Sequence, residues 1–267
     1  MFESKPFRFR REEKSYAEIS EYLDTYYQNV RNSGYKHRTA HLLDMLPAKG
    51  HVNILDYGCG WGVFTRLIGQ HNHEANVVGI DVDQDSLQIA DAWLSDQPNV
   101  AISHQTITEI EPSTFDYVIS MQVIEHVHNV GNYLQSINRI LKPDARLLIT
   151  LPNLMNPLHI LRLFFSLHRL RQKVRKHSEF ILDNYQKELH HINGWDPYHF
   201  TTLVSSMGFR VEDVRMVDGV PLPYLGKLLR RKSLVYWRTK IPGLRNLSTR
   251  MLFKLQKVGL VEISNTD

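Results

Sequence analysis

Asp56-Tyr57-Gly58-Cys59-Gly60-Trp61-Gly62 stands between a short apolar run, Val52 to Asp56, and a helix-periodic one, Val63 to Gln70. Glycines at alternate positions let the backbone turn sharply and come close to a ligand where a Cβ would stand in the way. A helix opening directly behind them presents unpaired N–H groups and the positive end of its dipole. A tight strand-to-helix turn that binds nothing is the plain alternative for a bare Gly-x-Gly. The next strand adds a second observation. Val77-Val78-Gly79-Ile80-Asp81 ends in an acid about 20 residues beyond the loop, where a carboxylate can accept from both ribose hydroxyls of an adenosine. The plain alternative for Asp81 is a cap on the following helix. Together the two elements point to an adenosine-bearing ligand, either a dinucleotide or S-adenosylmethionine.

Outward from this loop the chain alternates. Strands are expected at Val52 to Asp56, Val77 to Asp81, Val100 to His104, Phe115 to Ser120 and Arg146 to Leu151, and helices at Val63 to Gln70, Asp85 to Asp96 and about Val130 to Leu141. Two further helices, Tyr16 to Val30 and Lys36 to Leu46, precede them. Strands this apolar cannot face water on either side, so the pattern predicts a mostly parallel α/β sheet covered by helices. Lys142 to Ala145 is expected to turn into the strand at Arg146. Beyond Pro152 the rhythm breaks. Asn156 to Lys176 looks like a basic amphipathic helix, Pro197 to Met207 a helix, Phe209 to Val217 a strand, and the chain from Pro221 on is expected to be basic and helical, with a final strand near Val258 to Ile263. The organisation expected is one domain over 1–267, with a helical N-terminal lid at 1–47 and basic helical insertions at 153–190 and 219–258.

The net charge of +4 conceals an uneven layout. Gly219 to Val261 has ten Lys or Arg and no acid, and Pro157 to Ser178 has six and no acid, so these segments hold 16 of the 32 bases while the rest of the chain carries all 28 acids. The basic excess therefore belongs to two segments. For the tail three readings stay open: a solvated face, a peripheral contact with an anionic membrane or lipid-linked substrate, and nucleic acid, which is disfavoured because charge alone does not select among polyanions. The membrane reading places Leu247, Met251, Leu255 and Val258 on one helical face. No apolar run of spanning length and no secretory signal is visible, and Cys59 is the only cysteine, so the expected location is cytoplasmic, or peripheral at the inner face of a membrane.

The wording of the loop resembles motif I of class I methyltransferases, Asp-x-Gly-x-Gly-x-Gly. The dinucleotide fingerprint Gly-x-Gly-x-x-Gly fails at Val63. Further likenesses follow in that family's order: Phe115 to Ser120, Val123-Ile124-Glu125-His126-Val127, Leu141-Lys142-Pro143 with Asp144-Ala145 in place of Gly-Gly, and His191 through Phe209. The likeness is to ubiquinone-biosynthesis O-methyltransferases and to bacterial methyltransferases found with envelope-glycan biosynthesis. It implies a Rossmann-like seven-stranded sheet with helices on both faces, and S-adenosylmethionine as cofactor. It also implies roles. Gly58, Gly60 and Gly62 shape the methionine and ribose end, with Cys59 and Val82 in the same binding set. Asp56 orients the loop or meets the cofactor's ammonium, and Asp81 holds the ribose. Thr106 and Ile107 fall where adenine contacts lie, Gln122 beside the methyl group, and Arg38 where it can pair with the cofactor carboxylate.

For chemistry, His126 is the candidate base, with Glu125 and His191 as partners. Related enzymes ligate a divalent metal through Glu-x-x-Glu-His; here the first acid is Gln122, which lowers the site's charge, and no metal is expected. The function expected is methyl transfer to a hydroxyl of a small molecule or envelope-glycan precursor. RNA methylation and non-catalytic binding of S-adenosylmethionine are the alternatives.

Overall fold

The computed structural model describes residues 16–32, 36–166, 169–184, 190–218, 220–222, 235–237 and 247–259. Helices α1 (Tyr16–Asn32) and α2 (Lys36–Asp44) precede an alternating series: β1 (Asn53–Tyr57), α3 (Val63–His71), β2 (Asn76–Ile80), α4 (Gln84–Leu94), β3 (Val100–Ile102), β4 (Phe115–Met121), α5 (Val130–Ile140) and β5 (Leu141–Pro152). Then come α6 (Pro157–Ser166), α7 (Leu170–Asn184), α8 (Pro197–Ser206), β6 (Phe209–Val217), a small antiparallel pair β7 (Val220–Leu222) and β8 (Val235–Trp237), and β9 (Arg250–Lys257). The seven-stranded sheet has the order β3-β2-β1-β4-β5-β9-β6, and only β9 runs against its neighbours.

Successive strand residues bury opposite faces, as the pleat requires. Leu55, Val118, Leu147 and Ile149 pack with α5 and α8 (Leu134, Ile137, Phe200, Val204), whereas Ile54, Ile119 and Leu148 pack with α2 and α3 (Leu42, Ile68). Helix α1 lays Ile19, Leu23, Tyr27 and Val30 on α3 and α4, and its Tyr22 meets Trp61 of the glycine loop edge to face. The N-terminal helices are thus packed on the domain. The remainder of the expected lid, 1–15 and 33–35, lies outside the described residues.

Two expectations are corrected. Lys142 to Ala145 does not precede the strand but bulges within it: pairing passes from Phe115 with Leu141 to Tyr117 with Arg146. Asp144 takes a left-handed φ of 59°, a conformation Asp tolerates better than most side chains, where the family pattern has glycine. The second correction concerns the tail. Arg250–Lys257 is not a basic helix but a strand inserted between β5 and β6, with Met251, Leu252, Phe253 and Leu255 fully buried. A spacing of four residues suits either structure, because four is close to one helical turn and is also an even number along a pleated strand. Met251 and Leu255 therefore share a face both ways, and Phe253 between them joins that face only in a strand. Of the rest of the expected helical insertion 219–258, 220–222 and 235–237 form the strands β7 and β8 instead, and 219, 223–234 and 238–246 lie outside the described residues, as does most of the strand expected near Val258 to Ile263. Where one helix was expected over Asn156 to Lys176 there are two, α6 and α7, the second running on to Asn184, and no residue of α7 is buried.

Candidate active site

The carboxyl ends of β1, β2, β4 and β5 meet at one edge of the sheet, and the antiparallel β9 brings its first residue there too, Arg250 opposite Pro152. Open parallel sheets bind ligands at this edge. The glycine loop is held against β2 by Gly58 N and Cys59 N, which donate to the Ile80 carbonyl at 2.8 and 3.0 Å. Gly58 has φ 85°, and a Cβ there would sit 2.3 Å from Val123 Cγ2, so the tight approach of the loop to the segment after β4 depends on glycine. At Gly60, φ 53°, a Cβ would meet nothing within 4 Å and would project into open space.

Asp81 closes the loop. Its Oδ2 accepts from Gly60 N at 2.8 Å, and its Oδ1 from Asp83 N at 3.0 Å, while the cap of α4 is Asp83. Asp81 therefore orders the glycine loop rather than capping the helix. Val82 beside it is 90% exposed, an apolar side chain standing in solvent. Asp56 is buried and accepts from Thr65 Oγ1 at 2.7 Å. Burial pushes its carboxyl up to about 7, against the Thr65 hydrogen bond and helped by the charge of Asp81. Burial likewise raises the Cys59 thiol well above its usual range. Thr106 lies in an exposed turn, its N–H and hydroxyl donating to Glu109, and Ile107 leans on the core with its carbonyl accepting from Arg139.

Gln122 ends β4 with a left-handed φ of 59°. Its N–H donates to Thr150 O and Oγ1, both at 3.1 Å, and its Oε1 accepts from Arg250 Nε. A 3-10 turn over Ile124–His126 follows. Glu125 is fully buried, and among the described residues neither carboxylate oxygen has a hydrogen-bond partner. Burial raises its carboxyl to about 7, opposed by the nearness of its own backbone N–H and by the charges of Arg250 and Arg38. The Glu125 carbonyl accepts from Ile192 N at 2.9 Å and Asn193 N at 3.1 Å, which ties the late histidine segment to this turn. Half-buried His126 places Nδ1 2.9 Å from the His190 carbonyl. That oxygen can only accept, so Nδ1 carries the proton and Nε2 the lone pair. Burial pulls the imidazole below its ordinary value, partly offset by that hydrogen bond. His191, exposed, meets the His126 ring edge to face at 4.8 Å, and burial on its inner side with the neighbouring His126 lowers it too.

The chain thus brings Glu125, His126 and His191 together: one ligand-type atom from each lies within 4.8 Å of the others, so the three could hold a divalent cation between them. His190 holds His126 through its carbonyl, whereas His199 stands apart on α8. His199 caps against Asp196 on α8, and Trp195 packs on Phe200. Arg38 is buried, its Nη1 3.7 Å from Asp218 Oδ2. Three site residues were not anticipated: Thr150, Asp218 and Arg250, whose Nη1 donates to Asp218 at 2.8 Å. Arg250 was hidden because its segment reads as a helix, which would point it away from β4.

The chain matches the family of the methyltransferase domain over residues 26–214. It is 30% identical over 192 residues to the ubiquinone biosynthesis O-methyltransferase of Aeromonas salmonicida, covering 68% of this chain and 73% of that one. With the mitochondrial ubiquinone biosynthesis O-methyltransferase of Rattus norvegicus it shares 33% over 123 residues, 43% of this chain and 35% of the relative. The chain thus spans about a third of the length of the mammalian relatives it matches. Among solved structures, a SAM-dependent methyltransferase from Aquifex aeolicus superposes with TM-score 0.54 at 14% identity, over 92% of this chain and all of that one. An S-adenosylmethionine-dependent methyltransferase from Mesorhizobium loti does so with TM-score 0.55 at 16%, over 85% and 99%. These two likenesses are of fold. With the family match covering most of the chain and the glycine loop, Asp81 and the Glu-His turn all at one sheet edge, the chain belongs to the methyltransferase-domain family, as a class I S-adenosylmethionine-dependent methyltransferase.

Proposed function

We propose that this chain methylates a hydroxyl of a small molecule or envelope-glycan precursor. The observation that carries the reading is His126, whose Nε2 lone pair is fixed by the Nδ1 contact to His190 beside a buried carboxyl at the end of β4. The names of the ubiquinone biosynthesis relatives support oxygen as the methylated atom.

The residues fit S-adenosylmethionine. The open space at Gly60 admits a ligand against the backbone, the remaining lone pairs of Asp81 suit ribose hydroxyls, and exposed Val82 suits a flat apolar ring. When bound, the cofactor supplies an electrophilic methyl on a sulfonium whose leaving thioether is neutral. Little acid–base power is then required, and alignment of the acceptor provides most of the rate. His126 Nε2 takes the hydroxyl proton as the oxygen attacks. The imidazolium so formed is stabilised by Glu125, within 4.8 Å, and its ring is steadied by the edge of His191. Buried Asp56 and the glycine loop hold the cofactor end rigid through Thr65 and Ile80.

The test is direct. S-adenosylhomocysteine should bind and raise the melting temperature, and Asp81→Ala should abolish both. Transfer of labelled methyl to hydroxylated small-molecule acceptors should fall about 10²–10⁴-fold in His126→Gln with S-adenosylhomocysteine affinity kept. Binding of NAD without S-adenosylhomocysteine, or methyl found on nitrogen, would sink the reading.

A peripheral membrane contact is proposed for α6 and α7 beside the basic tail, whose Met251 and Leu255 are taken up by the sheet core. Their acid-free run from Pro157 to Ser178 carries six bases, and Ile160, Phe164, Leu170, Val174 and Leu182 are exposed among or beside them. No helix among the described residues is long and apolar enough to cross a membrane.

A further inference from the structure

Arg250 has no task in the methyl transfer described above, yet its guanidinium is held with care. Nε donates to Gln122 Oε1 and Nη1 to Asp218 Oδ2 at 2.8 Å. The group is planar, so fixing two nitrogens fixes the direction of the third. Nη2 makes no hydrogen bond among the described residues. Nor is Nη2 a buried atom: the side chain is 27% exposed, and Nη2 stands in reach of solvent. Asp218 serves two guanidinium groups, since its Oδ2 also lies 3.7 Å from Arg38 Nη1. Asp218 thus stands between two guanidinium groups, and the one donor of Arg250 turned to solvent is Nη2. Gln122 preserves that state: a carboxylate there would pair with Nε and neutralise it, whereas an amide oxygen orients the group and leaves its charge available. The location is the acceptor side of the crevice. Arg250 opens β9 at the carboxyl end of β5, and its charge acts on both Glu125 and His191.

We propose that Arg250 Nη2 binds an oxyanion of the acceptor, a carboxylate or a phosphate carried beside the hydroxyl that is methylated. This rests on the methyl-transfer reading for its meaning, but the site can be tested without turnover. A pre-oriented guanidinium binds such groups with charge-assisted hydrogen bonds and little ordering penalty. The acceptor class is accordingly a hydroxylated acid or a phosphorylated hydroxyl compound, with Arg250 at one end and His126 at the other.

The experiment uses the full chain saturated with S-adenosylhomocysteine, titrated with inorganic phosphate and, separately, with benzoate, and followed by calorimetry. At least one of the two should bind, and which one identifies the oxyanion. Affinity should fall about tenfold or more in Arg250→Gln and be largely kept in Arg250→Lys, since one charge-assisted contact is at stake. His126→Gln should leave it unchanged. Equal affinity in wild type and Arg250→Gln, with S-adenosylhomocysteine still bound by both, would overturn the proposal, as would binding of neither anion by the wild type. Should Arg250→Gln fail to fold, Gln122→Glu makes the same test by neutralising the guanidinium from within: weaker anion binding is expected, and unchanged binding refutes the site. Loss of S-adenosylhomocysteine binding by the wild type would instead strike the proposed function.

Discussion

Asp56→Asn removes a carboxylate that the fold keeps in an apolar place, and it should move stability and cofactor affinity in opposite directions. Asp56 is 1% exposed, with Thr65 Oγ1 donating to it at 2.7 Å. Its carboxyl rises from 3.8 to about 7, chiefly through burial. Because the folded value is raised, stability from this group is fully present below pH 3.8 and is lost as pH climbs towards 7. The gap of roughly three units corresponds to about 4 kcal/mol at pH 8, as an order of magnitude. Asn does not titrate, fills the same space and keeps one oxygen to accept from Thr65. The variant without cofactor should therefore melt higher than wild type at pH 8, by several degrees at about 2–4 °C per kcal/mol, and the difference should shrink towards pH 4. Its affinity for S-adenosylhomocysteine should meanwhile drop about tenfold, because the Thr65 hydrogen bond that steadies the glycine loop passes from a charged acceptor to a neutral one. Circular-dichroism melts at pH 5 and pH 8 and calorimetric titration measure the two effects. A variant no more stable than wild type at pH 8, or a difference that does not grow with pH, would refute the reasoning.

Other outcomes follow from the same geometry. Turnover should survive EDTA, since Arg250 already places a positive charge beside Glu125 and His191 and residue 122 has an amide; activity lost in chelator and restored by magnesium would show that Glu125, His126 and His191 ligate an ion. Leu255→Ser should destabilise by about 3–5 kcal/mol in urea unfolding, because the side chain is fully buried in the sheet core; a wild-type-like midpoint would contradict the placement of β9. Sedimentation with phosphatidylglycerol vesicles should be weakened by salt, which screens charges beyond roughly 10 Å at 0.1 M, and the salt-resistant remainder should disappear in Val174→Ser with Leu182→Ser; no binding at low salt would remove the membrane contact.

The part of the candidate site assigned to the cofactor was open to reading because each of its constraints is local. The three glycines, the acid closing β2 and the Glu-His pair stand within a few residues of the strand ends that position them, so spacing along the chain translates directly into spacing across the site. The acceptor side is built otherwise. Arg250 reaches Gln122 across 128 residues and Asp218 across 32, and those contacts exist only because β9 enters between β5 and β6. Nothing local marks Arg250–Lys257 as a strand: it has no β-branched residue, it carries charge, and its apolar residues repeat at a spacing that helix and strand both accept. The same blindness made a membrane-facing helix out of Met251 and Leu255, which the sheet core covers. A sequence reading that meets basic residues in such a segment assigns them to a surface, whereas here the first of them points into the crevice. The acceptor contact proposed for Arg250 thus depends on the last strand in chain order, where tertiary pairing rather than local propensity decides the structure, and the charge of Arg250 has meaning only once that pairing is known.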